Sequence, residues 1–104
     1  APTICEINGR RWVLGPEAEE PMIWNNAQKW CESVGGVLPP REILLLAYMN
    51  KEIVGSFASD TYWSSSSDYS DYAWGQYFNS GYQNYANKCS TYLIRAVKSI
   101  EVTP

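Results

Sequence analysis

The chain contains no histidine among its 104 residues. That removes the commonest general base, the commonest metal ligand and the imidazole of the usual nucleophilic triad. Charge is sparse as well: Asp, Glu, Lys and Arg make up 18% of the chain. The basic residues are scattered, and only Arg10 and Arg11 adjoin. With a net charge of −3, nothing resembles the clustered Lys and Arg surface that nucleic-acid backbones require, so no nucleic-acid partner is expected. A basic protein partner is compatible with that charge. The longest apolar run, Ile43 to Met49, falls far short of the ~20 residues of a membrane span. Cysteine is limited to Cys5, Cys31 and Cys89, too far apart for a paired zinc or redox motif. Their odd number leaves at least one free thiol unless two chains pair. Three reduced thiols in a cytoplasmic protein is the favoured reading, and one disulfide is the alternative. Ala1-Pro2-Thr3 has neither a charged nor an apolar leader segment. It fits a cytoplasmic chain that has lost its initiator Met, or a mature end left by signal cleavage.

What is present suits one globular domain. Apolar residues account for 45% of the chain, too many for disorder, and the length suits a single core. Composition shifts near residue 60: seven of the eight tyrosines lie between Tyr62 and Tyr92, interleaved with Ser and Asn. Before the shift, Thr3–Ile7 and Arg10–Leu14 flank Asn8-Gly9, the strongest short signal for a hairpin. Residues 15–21 read as an acidic loop. Ile23, Ala27, Trp30, Cys31 and Val34 fall at helical spacing, which predicts a helix over about 24–34 ended by Gly35-Gly36. Val37-Leu38 reads as a short extended link. Pro39-Pro40 should open a second helix reaching Met49, with Glu42 at its favourable end. One further helical turn and a loop fill residues 51–60. Thereafter the period changes to that of strands: 62–66, 72–78, 82–86 and a long final strand over 91–100. The layout is α+β: an N-terminal β-hairpin, two helices and a C-terminal antiparallel β-meander of three or four strands.

Certain motifs go further. Trp24, Ala27, Cys31, Gly35-Gly36, Leu38 and Glu42 follow the order and spacing found in the first-helix region of C-type-lectin-like domains. Tyr62-Trp63-Ser64-Ser65, Ala73-Trp74, Phe78, Gly81-Tyr82 and Tyr92-Leu93-Ile94-Arg95-Ala96-Val97 follow in turn. This later set resembles a bacterial and prophage family of unknown function, found as the C-terminal domain of a secreted collagen-like adhesin. That family is related to the formylglycine-generating (sulfatase-modifying) enzyme fold. The resemblance covers about residues 22–100 and implies a C-type-lectin-like fold. Classical members pair the helix cysteine with one in the last strand, where this chain has Arg95-Ala96-Val97. The Glu-Pro-Asn, Gln-Pro-Asp and Trp-Asn-Asp triplets of calcium-dependent sugar binding are absent. So is the close pair of cysteines with which the formylglycine-generating relatives hold copper. No cofactor and no metal are therefore expected, and no catalysis.

Each candidate site has a plainer structural alternative. Cys31 lies on the apolar helix stripe and reads as core. Cys89 follows a turn and lacks an activating base. Asp60, Asp68 and Asp71 match no calcium loop and read as solvated charges. Ser64 to Ser67 should be partly buried and hydrogen-bonded within the sheet. Trp12, Trp24, Trp30, Trp63 and Trp74 are mostly core candidates, because exposing them all would invite aggregation. Tyr69, Tyr72, Tyr77, Tyr82, Asn84, Tyr85 and Asn87 remain as a candidate partner-binding surface. Strand alternation puts Tyr82 and Asn84 on one face and Tyr85 on the other. Tyrosine offers rigid contact area, and Asn and Ser offer adaptable hydrogen bonds. Within the resemblance, retroelement-diversified phage and bacterial proteins place their variable residues in this same region. The expectation is a non-catalytic module binding a protein, by analogy a phage or prophage accessory protein acting on a host protein in the host cytoplasm. Secretion or a place on a particle is the alternative location. Carbohydrate binding without calcium, with Trp74 and the tyrosines as stacking platforms, is the second expectation. A degenerate formylglycine-type enzyme is the third, and a structural subunit of a larger particle the fourth.

Overall fold

The computed structural model describes residues 2–55, 57–67 and 71–102. Among these lie β1 (Thr3–Ile7), β2 (Arg10–Glu17), α1 (Trp24–Ser33), α2 (Arg41–Met49), α3 (Lys51–Val54), β3 (Thr61–Trp63), β4 (Tyr72–Tyr77), β5 (Gln83–Asn87) and β6 (Arg95–Glu101). The strands form two antiparallel sheets, ordered β1-β2-β6 and β3-β4-β5. The protein is a small α+β domain. None of its described helices is long and apolar enough to cross a membrane.

The hairpin turn takes the expected form. Asn8 and Gly9 have φ of 52° and 74°, the pair of positive values that a two-residue type I′ turn demands, and Ile7 pairs with Arg10. β2 runs further than its pattern suggests. The segment read as a loop from residue 15 continues the strand to Glu17, with an irregularity between Leu14 and Glu17. There Gly15 lies so close to β6 that a Cβ would stand 2.8 Å from the Ala96 carbonyl oxygen.

α1 buries Ala27 and Cys31, two residues of the expected stripe. It ends in a Schellman motif: the Gly36 N–H donates to Cys31 O at 2.9 Å and the Gly35 N–H to Glu32 O at 3.0 Å. The two glycines do different work. Gly35 supplies the left-handed conformation (φ 78°), where a Cβ would meet only the flexible Lys98 side chain at 4.0 Å, whereas a Cβ on Gly36 would meet the Val97 carbonyl oxygen at 2.8 Å. That carbonyl accepts the Val37 N–H, so the backbone there cannot easily withdraw. We therefore expect Gly36→Ala to cost about 1–3 kcal/mol through overpacking. Gly35→Ala should cost about 1 kcal/mol through strain alone. Urea denaturation of the two variants checks the order; equal losses would mean that the approach to β6 is softer than the geometry implies.

α2 begins at Arg41 with Pro40 as its N-cap, whose carbonyl accepts the N–H groups of Ile43 and Leu44. α3 is the single further turn expected after it.

Two adjacent residues of β3 organise the interior. Tyr62 and Trp63 are both fully buried, and alternation sends them to opposite faces of the sheet. Tyr62 joins Ile43, Leu44, Ala47, Val54 and Phe78 beneath α2 and α3. Trp63 joins Ala27, Cys31, Leu38, Ala73 and Ile94 beneath α1. The sheet β3-β4-β5 is thus covered on both faces at its β3 end.

The final segment departs from a simple meander. Its first residues touch β3, with Leu93 bridging Tyr62 in parallel and the Trp63 N–H donating to Leu93 O at 3.0 Å. It then leaves that sheet, and β6 pairs with β2 instead. The meander is therefore three strands long, and the last strand sews the two sheets together. Burial gives the reason. Ala96 and Val97 are adjacent and both buried, one in each core, so this strand needs cover on both faces that the open edge of β5 does not offer.

Candidate functional site

β4 and β5 form a hairpin whose register pairs Tyr72 with Asn87, Trp74 with Tyr85 and Gln76 with Gln83. Residues in register share a face. One face therefore carries Tyr72, Trp74, Gln76, Gln83, Tyr85 and Asn87, and the other carries Ala73, Gly75, Tyr77, Asn84 and Ala86. Ala73 and Ala86 pack on the core beneath α1, which fixes the orientation.

The first of these faces holds a fixed arrangement of side chains. Gln76 is completely buried, and its Nε2 donates to the carbonyls of Tyr77 (3.1 Å) and Tyr82 (3.3 Å). Its Oε1 accepts from Gln83 Nε2 at 2.8 Å. Gln83 then grips Arg41 twice: its Nε2 donates to the Arg41 carbonyl at 2.7 Å, and its Oε1 accepts from Arg41 Nε at 2.9 Å. The guanidinium so held lies over the Trp74 ring, 3.6 Å from its centroid. Tyr85 lies 4.0 Å from Trp74, tilted by 35°. Two groups this close to one ring cannot share a side of it, so Trp74 is sandwiched between Arg41 and Tyr85.

The serine run secures the arrangement from below, as expected of it. Ser64 is fully buried, and its Oγ donates to Trp74 O at 2.7 Å. Its carbonyl accepts the Trp24 indole N–H at 2.8 Å, tying down the start of α1. Ser66 Oγ accepts the Arg41 N–H at 3.0 Å, tying down the start of α2. Among the described residues no buried side-chain nitrogen or oxygen lacks a partner.

The seven residues singled out from the sequence do not form one surface. Tyr69 lies outside the described residues. Tyr72, Tyr85 and Asn87 are exposed beside the Arg41–Trp74 stack. Tyr77, half-buried, and Asn84, exposed, are on the opposite face, and Tyr82, at 74% exposure, continues the alternation towards Asn84. Asn84 and Asn87 also have local duties: Asn84 Oδ1 accepts the Tyr85 N–H and Asn87 Oδ1 the Cys89 N–H, each at 2.8 Å. The register thus follows the alternation expected for Tyr82 and Asn84 against Tyr85, and it adds Tyr72 and Asn87 to the side of Tyr85 and Tyr77 to the other.

Arg41, Gln76 and Gln83 went unrecognised in the sequence. A signal for the glutamines existed: a turn centred on Asn79-Ser80 places residues 76 and 83 opposite one another. Nothing local marks Arg41, which comes from a different element. Trp74 is the tryptophan outside both cores; Trp63 is central to one, and Trp12, Trp24 and Trp30 pack against them.

Other candidate chemistry is spread out. Cys5 on β1 is half-buried, Cys31 on α1 is buried, Cys89 after β5 is exposed, and all three are free thiols. Burial pushes the Cys31 thiol up to about 12, with the Glu32 charge adding to the effect. Burial also raises Cys5. Asp60 Oδ1 accepts the Thr61 N–H, Asp71 is exposed and Asp68 lies outside the described residues. Among the described residues no three acidic or cysteine side chains converge as a metal site. Burial likewise raises the Tyr62 hydroxyl, which donates to Glu17 Oε1 at 2.7 Å and accepts the Ala58 N–H. No protein-family model matches this chain, and no curated protein matches it significantly.

Proposed function

We propose that this chain is a C-type-lectin-like domain serving as a non-catalytic binding module for a protein partner. The motif order of the sequence supports the fold, together with the hairpin, the two helices and the three-stranded meander in that sequence. One observation carries the function: a prearranged Arg41–Trp74–Tyr85 stack lies beside the exposed pair Tyr72 and Asn87. Trp, Tyr and Arg are the side chains that dominate protein interfaces. Here they are held in place before any partner arrives, which lowers the entropic cost of association. If the setting is the phage or prophage one that the resemblance implies, the partner is a host protein in the cytoplasm. Sugar stacking on Trp74 is the less favoured reading, because both faces of that ring are already covered.

The test is retention of partners from a bacterial lysate by the wild type and by a Tyr72→Ala/Tyr85→Ala variant. The purified partner is then titrated against both. The double variant should weaken binding about 30-fold or more, corresponding to about 2 kcal/mol of hot-spot loss. Tyr82→Ala, on the other face, should leave the affinity within about twofold, a change of only about 0.4 kcal/mol. An interface on the Tyr82 face would reverse these two results, and a glycan captured in place of a protein would replace this reading with carbohydrate recognition.

A further inference from the structure

The Arg41 guanidinium is only partly used within the chain. Its Nε–H is taken by Gln83 and one flat side by Trp74. The two terminal amino groups, with four of the five N–H donors of an arginine, meet no acceptor among the described residues. Between described residues, Arg11 pairs with Glu6 and Arg95 with Glu17; Glu42, next along α2, is exposed and forms no pair with Arg41. A positive charge thus stands half-buried against the Trp74 ring, fixed in orientation and with no ion-pair partner among the described residues. A guanidinium fixed in this way presents two parallel N–H groups, the geometry that a carboxylate fills with two hydrogen bonds.

We propose that Arg41 receives an aspartate or glutamate side chain of the protein partner, with Tyr72 and Tyr85 packing against the residues on either side of it. This rests on the binding-module reading above and specifies the partner's chemistry. Gln76 and Gln83 are then positioning residues. They touch no partner but hold the guanidinium at the angle a carboxylate needs. Lysine would not substitute, because a point charge on a flexible stem neither stacks on Trp74 nor bonds Gln83 in the same plane.

The experiment is selection of random twelve-residue peptides against the folded domain and against its Arg41→Gln variant, each shown by its thermal melt to be folded. Wild type should enrich peptides carrying Asp or Glu next to an apolar or aromatic residue, and Arg41→Gln should lose that signature. For the best wild-type peptide, changing its acidic residue to the amide should weaken binding at least tenfold. Arg41→Lys should weaken the acidic peptide by a similar factor and the amide peptide little. Enrichment with no acidic signature, or the same signature from Arg41→Gln, overturns the carboxylate assignment while leaving the binding module standing. A phosphoserine peptide bound ten times more tightly than the acidic one would overturn it in favour of phosphate. Absence of any enrichment tells against both.

Discussion

Trp63→Ala is expected to cost about 3–5 kcal/mol, the range for truncating a large buried aromatic. A domain of this length has a total stability of roughly 5–15 kcal/mol, so much of the margin would go. The residue is completely buried between α1 and the sheet, and its ring meets Tyr92 edge-on at 4.9 Å. Its indole N–H donates to Met22 O at 2.9 Å, and its backbone bonds Leu93. The Met22 carbonyl keeps a second donor, the Tyr92 N–H, so the loss is one of packing rather than of an abandoned polar group. Around the gap stand Ala27, Ala73 and Ala96, side chains too small to collapse into it. Trp63→Phe should recover a large part of the loss. Urea unfolding followed by far-ultraviolet circular dichroism measures both. A loss below about 1.5 kcal/mol for alanine, the level of a tolerated volume-conserving swap, would mean that Trp63 is not the centre of this core.

The second large effect is a loss of stability in alkali. Burial raises the Cys31 thiol to about 12, and it also raises Cys5 and the Tyr62 hydroxyl. Each group binds its proton more tightly folded than unfolded. Its stabilising contribution is therefore complete below the unfolded pKa and is lost as pH rises towards the folded one. For Cys31 that window opens near pH 8.5–9 and closes near 12. Within it one such group removes about 1.4 kcal/mol per pH unit, or about 4 kcal/mol by pH 12. Tyr62 adds its own slope above about pH 10. Unfolding free energies measured from pH 7 to 11 should bend downwards near 9. In Cys31→Ala the bend near 9 should become shallower, since only Cys5 then contributes there, while the slope that Tyr62 adds above about pH 10 remains. An unchanged bend in that variant would remove Cys31 as its source.

Much of this architecture is legible in the residues themselves. Asn8-Gly9 specifies its turn because few other residue pairs tolerate two positive φ values in succession. The apolar spacing from Ile23 to Val34 specifies α1, and the glycines after it specify its end. Cys31 and Trp63 read as core and are core. Ser64, read as a buried hydrogen-bonding residue, is one. Where local pattern misled, a long-range contact was responsible. Gly15 and Pro16 suggest a loop, yet pairing across to β6 holds that stretch extended as far as Glu17. The run from Thr91 to Ile100 reads as one strand of a meander, yet its two buried faces draw it between the sheets.

The surface divides along the same line. The tyrosines and asparagines advertise themselves by composition, but composition does not say which side of a hairpin each occupies. Alternation along the strand already sets Tyr82 and Asn84 apart from Tyr85, and the register of β4 against β5 adds Tyr72 and Asn87 to the side of Tyr85 and Tyr77 to the other. Arg41 joins the side of Tyr85 only because α2 brings its first residue against a strand hairpin that begins about thirty residues later. By itself the sequence determined the element types, the hairpin turn, the helix ends and the greater part of the core, all of which depend on near neighbours and on period. The tertiary structure alone decided the sandwich of Trp74 between Arg41 and Tyr85 and the free edge of the guanidinium, because contacts between distant segments depend on how the elements pack.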